Sequence, residues 1–407
     1  MRGPLLSLCA WLLLSACAGV PILGGGGGPG GIRGPVKIAL VDVFSGTAAG
    51  APMGTYLQDS LQVEIDDLNA RGGLLGTRVQ LVTADDELSL TKTPDVVRRM
   101  LADRSVKLLV GPSFAGLYLG AKPLVERAGV VNCLTSMAAD DVMESAPYSF
   151  REQEQDGARV PALLSYVQRG SQLKKIGLVT DDDSVGHGYD RQLSEQAGKF
   201  GLQYLGAAFF TGAADQRSQV QQMLQRGAEA LVLSGSAPTA TRTLQTLQAL
   251  KAQSRVRTFG FAGLGSYSFV QQAGDLANGV VFVSPIQSYL SDVPEARWPP
   301  AYRDFTKRVL ARFGAAANGV EMKGLPAGGA CVLDWASAVR AANDFDGTRV
   351  ARAWETLDVP AAQSVLGVHE QFSPSDHDAV PPDSLFVYQW ARNGAQWGLR
   401  QLAAPPA

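Results

Sequence analysis

The sequence predicts an α/β protein built from two doubly wound parallel sheets. Two observations carry this. From Val36 onward, short apolar runs rich in β-branched residues alternate with amphipathic stretches of helical period, the pattern of parallel strands covered by helices on both faces. The alternation then restarts near Lys175, giving two series of about 110 to 130 residues, each the size of one domain.

The elements follow in order. Residues 36–42 form a buried strand, and Ser45-Gly46 opens a loop. Residues 56–71 place Leu57, Leu61, Ile65 and Leu68 on one helical stripe, and Gly72-Gly73 ends that helix. A strand at 79–84, a helix at 94–102, a strand at 106–110, a helix at 117–128 and a strand at 130–134 complete the first series. The second holds strands at 175–180, 202–208, 230–233, 257–261 and 279–283, with helices at 188–200, 219–225 and 240–250. Helical stretches at 301–313 and 327–342 follow. Runs at 385–390 and 396–402 flank Arg392-Asn393-Gly394, which reads as a β-hairpin. Ligands of doubly wound sheets sit beyond the carboxyl ends of the strands, so two facing units would share a cleft.

Composition excludes several functions. The 407 residues carry 36 Lys+Arg against 38 Asp+Glu, a formal net charge of -2, which argues against binding nucleic acid through its phosphates. Hydrophobic residues make up 46%, enough for large cores and too many for general disorder. Three His and four Cys are too few and too scattered for a zinc or iron–sulfur framework, so no metal and no cofactor is expected. Ser113 has no His at a recognisable spacing, and the absence of a catalytic constellation points away from an enzyme. Asp181-Asp182-Asp183 is expected to follow a strand and cap a helix. His187, His369 and His377 read as solvent-facing. Cys133, at a strand end, and Cys331, in an apolar helix, read as buried free thiols, with a disulfide between them in an oxidising compartment as the alternative. Trp335 reads as core, together with Leu333 and Val339.

The first residues read as an address. Arg2 precedes an apolar stretch from Leu5 to Leu14, about half the roughly 20 residues that span a bilayer, so 1–16 is expected to be a signal peptide. Leu14-Ser15-Ala16-Cys17 resembles a bacterial lipobox, which implies cleavage before Cys17 and lipidation of its sulfur. Residues 17–35, with the glycine run Gly24 to Gly28, form a tether with a reach of about 25 Å. The folded body is thus expected outside the cytoplasm, on the periplasmic side, held to a bacterial membrane by its lipid alone.

Several motifs share an order and spacing with one family. Val36 to Val41 with Ser45-Gly46, Asn69-Ala70-Arg71-Gly72-Gly73-Leu74-Leu75-Gly76, Asp85-Asp86, Gly111-Pro112-Ser113-Phe114-Ala115-Gly116, the loop Asp181 to Gly188, and Phe372-Ser373-Pro374-Ser375-Asp376 together resemble the leucine/isoleucine/valine-binding type of periplasmic solute-binding protein, which serves ABC importers. The resemblance implies a type I clamshell whose chain crosses three times between lobes. Lobe one is then 36–147 plus 284–372, and lobe two 148–283 plus 373–407. It also implies a small-molecule ligand and an ABC importer permease as partners. A ligand-sensing or partner-regulating lipoprotein with the same clamshell and no transport role is the alternative.

The family's ligand contacts do not carry over. Its carboxylate-holding serine falls at Ala115, a threonine of the next loop at Ala139, a tyrosine of lobe two at Val185, and an ammonium-pairing acid at Ala262. The aromatic lid of the first loop falls at Met53. A hydrogen bond to a charged group contributes about 1.5–3 kcal/mol, so losing three costs roughly 5–9 kcal/mol, against about 8.2 kcal/mol for all of micromolar binding. The ligand is therefore expected to be less polar than a free amino acid. It would be held by Ser113, Phe114, Ala115, Thr135, Ser136, Met137, Ala139, Val185, Ala262, Ser266 and Tyr267. Asp140 is a further polar candidate, and Phe269 an aromatic one.

Overall fold

The computed structural model describes residues 34–45, 51–137, 139–211, 215–235, 237–265, 267–285, 295–313, 324–394 and 396–403. The chain begins with β1 (Val36–Asp42), α1 (Ala51–Ala70), β2 (Val79–Asp85), α2 (Thr93–Ala102), β3 (Val106–Val110), α3 (Ala115–Ala128), β4 (Val131–Leu134) and β5 (Ser149–Arg151). These strands form one parallel sheet in the order β2-β1-β3-β4-β5. Six of the seven residues of β1 are buried, as a strand covered on both faces requires. The α1 stripe of Leu57, Leu61, Ile65 and Leu68 is buried as expected.

The second series holds α4 (Asp156–Gly170), β6 (Lys175–Asp181), α5 (Ser184–Gln196), β7 (Gln203–Phe210), α6 (Arg217–Gln225), β8 (Ala230–Leu233), α7 (Ala237–Ala249), β9 (Arg257–Gly260), α8 (Tyr267–Ala273) and β10 (Val281–Pro285). Its parallel strands run β7-β6-β8-β9-β10. Counted in chain order, both sheets have the arrangement 2-1-3-4-5, with a topological switch point beside the first strand of each.

The chain then returns to the first sheet as α9 (Pro300–Phe313), α10 (Gly324–Ala342), α11 (Gly347–Trp354) and the ribbon β11 (Asp358–Val359) with β12 (Glu370–Gln371). Trp335 and Trp354 share one core with Leu57, Leu61 and Phe150, so Trp335 is core, as its apolar helix predicts. Last come β13 (Leu385–Asn393) and β14 (Gln396–Ala403), a hairpin that joins the second sheet antiparallel to β10. That sheet is therefore mixed at one edge. No helix among the described residues is long and apolar enough to cross a membrane.

Three sequence expectations need correction. Ser149–Arg151 pairs with β4, so the chain leaves the first sheet after Arg151, beyond the boundary read at 147. The cause is Phe150, which stacks on Trp354 at 4.5 Å and anchors β5 in the first core. Cys133 and Cys331 are not free thiols. They form a disulfide, Cα–Cα 5.8 Å, because β4 and α10 face each other across that core. His377 does not face solvent: its ring stacks on Phe150 at 4.3 Å and its Nδ1 lies 2.9 Å from the Ser149 carbonyl.

Candidate functional site

The carboxyl ends of both sheets are shaped by one glycine at each switch point. Gly111 follows β3 at φ +85, and a Cβ there would meet the Val41 carbonyl of β1 at 2.2 Å. Gly235, beyond β8, has φ +112, and a Cβ would meet the Asp181 carboxylate at the end of β6 at 2.2 Å. Only glycine tolerates both the backbone angle and the approach. These two points aim the loops that follow them; Ser113, Phe114 and Ala115 lie on the first, and the other predicted site residues follow β4, β6 and β9.

Ser113 is turned inward. Its Oγ donates to Asp42 Oδ2 at 2.6 Å, and the Val43 amide donates to Asp42 Oδ1 at 2.7 Å. Burial pushes the Asp42 carboxyl up to about 7, against those two hydrogen bonds and with the charges of Asp86 and Asp85 adding to the rise. The Ser113 hydroxyl is thus engaged within the first sheet. Asp85 and Asp86 shape the neighbouring loop by accepting from the amides of Phe44 and Glu87, and of Leu88, respectively.

Phe114 differs from its neighbours. It precedes α3 with φ 74 and ψ 127 and is 39% exposed. Behind it, Ala115, Met137 and Ala139 join Tyr118, Leu134 and Val142 in one apolar cluster. The structure therefore brings together three of the predicted apolar site residues from two different loops.

The loop after β4 carries the hydroxyl candidates. Ser136 donates to the Met53 sulfur at 3.7 Å, which places the expected lid position beside this loop. Thr135 is buried, and its hydroxyl has no hydrogen-bond partner among the described residues. Asp140 accepts from the Gly157 amide at 3.0 Å and from Gln192 Nε2 at 2.7 Å, so it links this loop to α4 and α5. Arg151 holds the loop from beneath: its guanidinium donates to the Ala139 carbonyl at 2.9 Å and pairs with Asp378.

On the second sheet, Asp183 caps α5 by accepting from the Gly186 amide, the role its sequence predicts. His187 is exposed and pairs with Asp182. Val185 is partly buried against the second core. Phe269 is fully buried in core, so it is not a ligand platform. Ala262 lies in a turn at Ala262–Gly265 and Tyr267 opens α8. The Trp390 indole of β13 fixes that turn by donating to the Leu264 carbonyl at 2.7 Å. Ser266 and Cys17 lie outside the described residues.

Residues 35–395 match the family model for the periplasmic binding protein. The chain belongs to the periplasmic binding protein family. It is 22% identical over 298 residues to a Leu/Ile/Val-binding protein of Rhizobium johnstonii, covering 71% of this chain and 80% of that one. Among solved structures it resembles a type 1 periplasmic binding protein from Bordetella pertussis, with a TM-score of 0.79 at 19% identity over 90% of this chain and all of that one. It also resembles an ABC-transporter solute-binding protein of R. palustris in complex with 4-hydroxybenzoate, with a TM-score of 0.76 at 15% identity over 91% of this chain and 98% of that one. Proteins of this family bind solutes outside the cytoplasm and are not enzymes.

Two residues of this periplasmic binding protein escape a sequence reading. Asp42 ends an apolar strand, and its partner Ser113 is 71 positions away. Arg151 is buried in a strand of three residues. Its place between Phe150 and Glu152 carries no periodic signal and names no partner.

Proposed function

We propose that this protein closes on a small ligand less polar than a free amino acid and delivers it to an ABC importer. In this reading the two sheets are the two lobes, and Cys17 carries the lipid that keeps the protein at the membrane. The observation that carries the ligand assignment is the apolar cluster of Ala115, Met137 and Ala139, with Ser113 engaged by Asp42 and Ser136 by Met53. A zwitterion entering there would lose hydration and find few partners. An apolar ring gains about 25 cal/mol per Å² buried, and exposed Phe114 offers it a face while the Thr135 hydroxyl orients one polar group. The likeness to a protein crystallised with 4-hydroxybenzoate supports an aromatic acid as the first ligand to try. Val185, Ala262, Ser266 and Tyr267 complete the proposed site from the second lobe.

Titration calorimetry with leucine, isoleucine, valine, benzoate and 4-hydroxybenzoate tests the reading. Binding of an aromatic acid with no micromolar binding of the three amino acids is expected; micromolar leucine binding overturns it. The triple change Ala115→Ser, Ala139→Thr and Ala262→Glu should raise amino-acid affinity and weaken the aromatic ligand.

A further inference from the structure

Four buried acids of this protein are matched by a cation. Asp378 faces Arg151, Glu154 and Asp156 face Arg159, and Glu64 faces Arg308. Among the described residues Asp42 and Asp86 have no cation and are held by hydrogen bonds instead, from Ser113 and the Val43 amide and from Thr93 and the Leu88 amide; the remaining buried acids are Glu152, Asp334 and Glu370. They come from three places, namely the residue after β5, the middle of α10 and the start of β12. All three are buried, at 2%, 4% and 1% exposure. One carboxylate oxygen from each lies within 4.8 Å of the others. Among the described residues, the ionisable groups acting on them are one another and Asp378. Ser364 donates to Glu370 Oε1 and the Cys133 sulfur approaches Glu152 Oε1 at 3.8 Å. The three carboxyls can hydrogen-bond one another only by sharing protons, Asp334 with both Glu152 and Glu370; among the described residues no other group donates to Glu152 Oε2, Asp334 Oδ2 or Glu370 Oε2, all buried. Orphaned buried carboxylate oxygens are costly and point to a missing ligand. Beside them, a cavity of about 340 Å³ is lined by Asp334 and Glu370 with Ser337, Gln363 and Ser364.

We propose that Glu152, Asp334 and Glu370 bind one hard divalent cation of the calcium type. The donors are all carboxylate oxygens, which select Ca²⁺, Mg²⁺ or Mn²⁺ over softer metals. Oxygens at 2.3–2.6 Å from one Ca²⁺ lie at most about 5 Å apart, and the three carboxylates fall inside that span. Together they offer up to six oxygens, and the adjoining cavity supplies both a path of entry and room for water to complete the shell. The site ties the end of β5, where the chain leaves the first sheet, to α10 and β12. Cys331 lies one turn before Asp334 on the same helix, so cation and disulfide fasten the same elements.

The test uses the full chain stripped with EDTA, titrated with CaCl₂ and separately with MgCl₂ and MnCl₂. One site per chain is expected by calorimetry, with a melting temperature raised by about 5 °C at saturating Ca²⁺. Binding displaces protons, so affinity should rise about tenfold per pH unit for each proton released. Asp334→Asn should weaken Ca²⁺ at least tenfold, and the triple variant Glu152→Gln, Asp334→Asn, Glu370→Gln should abolish binding while remaining folded, since neutral amides need no cation. If the triple variant does not fold, Asp334→Asn alone decides. No heat and no thermal shift with any of the three metals overturns the proposal and leaves protons as the sole neutralising charge. So does Ca²⁺ binding that is unchanged in Asp334→Asn.

Discussion

Arg151 and Asp378 meet through two parallel hydrogen bonds, Nε to Oδ1 at 2.6 Å and Nη2 to Oδ2 at 2.7 Å, although 227 positions separate them. Both are buried. Around this pair the chain that leaves the first sheet runs beside the chain that leads to the hairpin: Arg151 N donates to the His377 carbonyl and Ala379 N to the Arg151 carbonyl. The same guanidinium carries the Ala139 carbonyl of the candidate ligand loop. One side chain thus fixes two of the connections between the sheets and one wall of the proposed site.

Removing either partner leaves a buried charge uncompensated. Asp378→Asn and Arg151→Met should each lower unfolding free energy by about 3–5 kcal/mol, and the double variant should lose less than the sum of the two. Urea unfolding of the four proteins measures this coupling. Additive losses would mean that the pair acts only as two separate packed side chains.

The Cys133–Cys331 disulfide closes a loop of 198 residues in sequence separation. Constraining so long a loop in the unfolded chain stabilises the fold by roughly 2–5 kcal/mol. The pair Cys133→Ala and Cys331→Ala should melt lower than the oxidised parent and be indifferent to a reductant. Equal melting of parent and variant under non-reducing conditions would contradict this.

The sequence makes the two strand series legible because parallel strands buried on both faces must be continuous apolar runs. Ile38 to Val41 within Val36–Asp42, and Ala230–Leu233, are such runs, and both lie in strands. The Asp183 cap was equally open to reading, since a short acidic residue after a strand has one dominant local use. The stretch from 149 to 170 was not. Strand β5 has three residues, one of them Arg151, and α4 carries Pro161 inside it. What these residues do depends on Trp354 and Asp378, some two hundred positions away, and no periodicity encodes that. The same limit hid the inward turn of Ser113, the cysteine pairing and the acid cluster around Asp334.

Asp42 makes stability depend on pH. Its carboxyl is raised from 3.8 to about 7 in the fold, chiefly by burial, whereas in the unfolded chain it titrates near its ordinary value. The folded state therefore binds a proton that the unfolded state releases. Its contribution is fully present below about pH 4 and is lost as pH rises through about 7. The displacement corresponds to on the order of 4 kcal/mol. Asp42→Asn should flatten this part of the slope and be more stable than the parent at pH 8. Glu152, Asp334 and Glu370, also raised by burial, keep the same sign of slope in both proteins when metal is absent. Parallel curves for parent and variant between pH 4 and 8 would show that Asp42 is ionised in the fold.

Phe114 should separate stability from binding. At φ 74 and ψ 127 it occupies backbone space that a residue with a Cβ rarely adopts, and its ring is 39% exposed. Strain of this kind costs about 1–3 kcal/mol and persists where function holds it. The exposed part of the ring still has apolar surface to bury, a gain that needs a partner. A ligand ring lying against it would supply one, and a stacked aromatic pair contributes about 0.5–1.5 kcal/mol beyond burial. Phe114→Gly relieves the backbone and removes the ring. Glycine also adds flexibility to the unfolded chain, which offsets part of the relief. The variant should therefore be as stable as the parent or up to about 1 kcal/mol more so, while its affinity for an aromatic acid falls by about tenfold. Phe114→Ala keeps the strain and should lose the affinity alone. Denaturant unfolding and calorimetry on the same samples give both numbers. Lower stability with unchanged affinity in Phe114→Gly would place this side chain in the structural framework and remove it from the site.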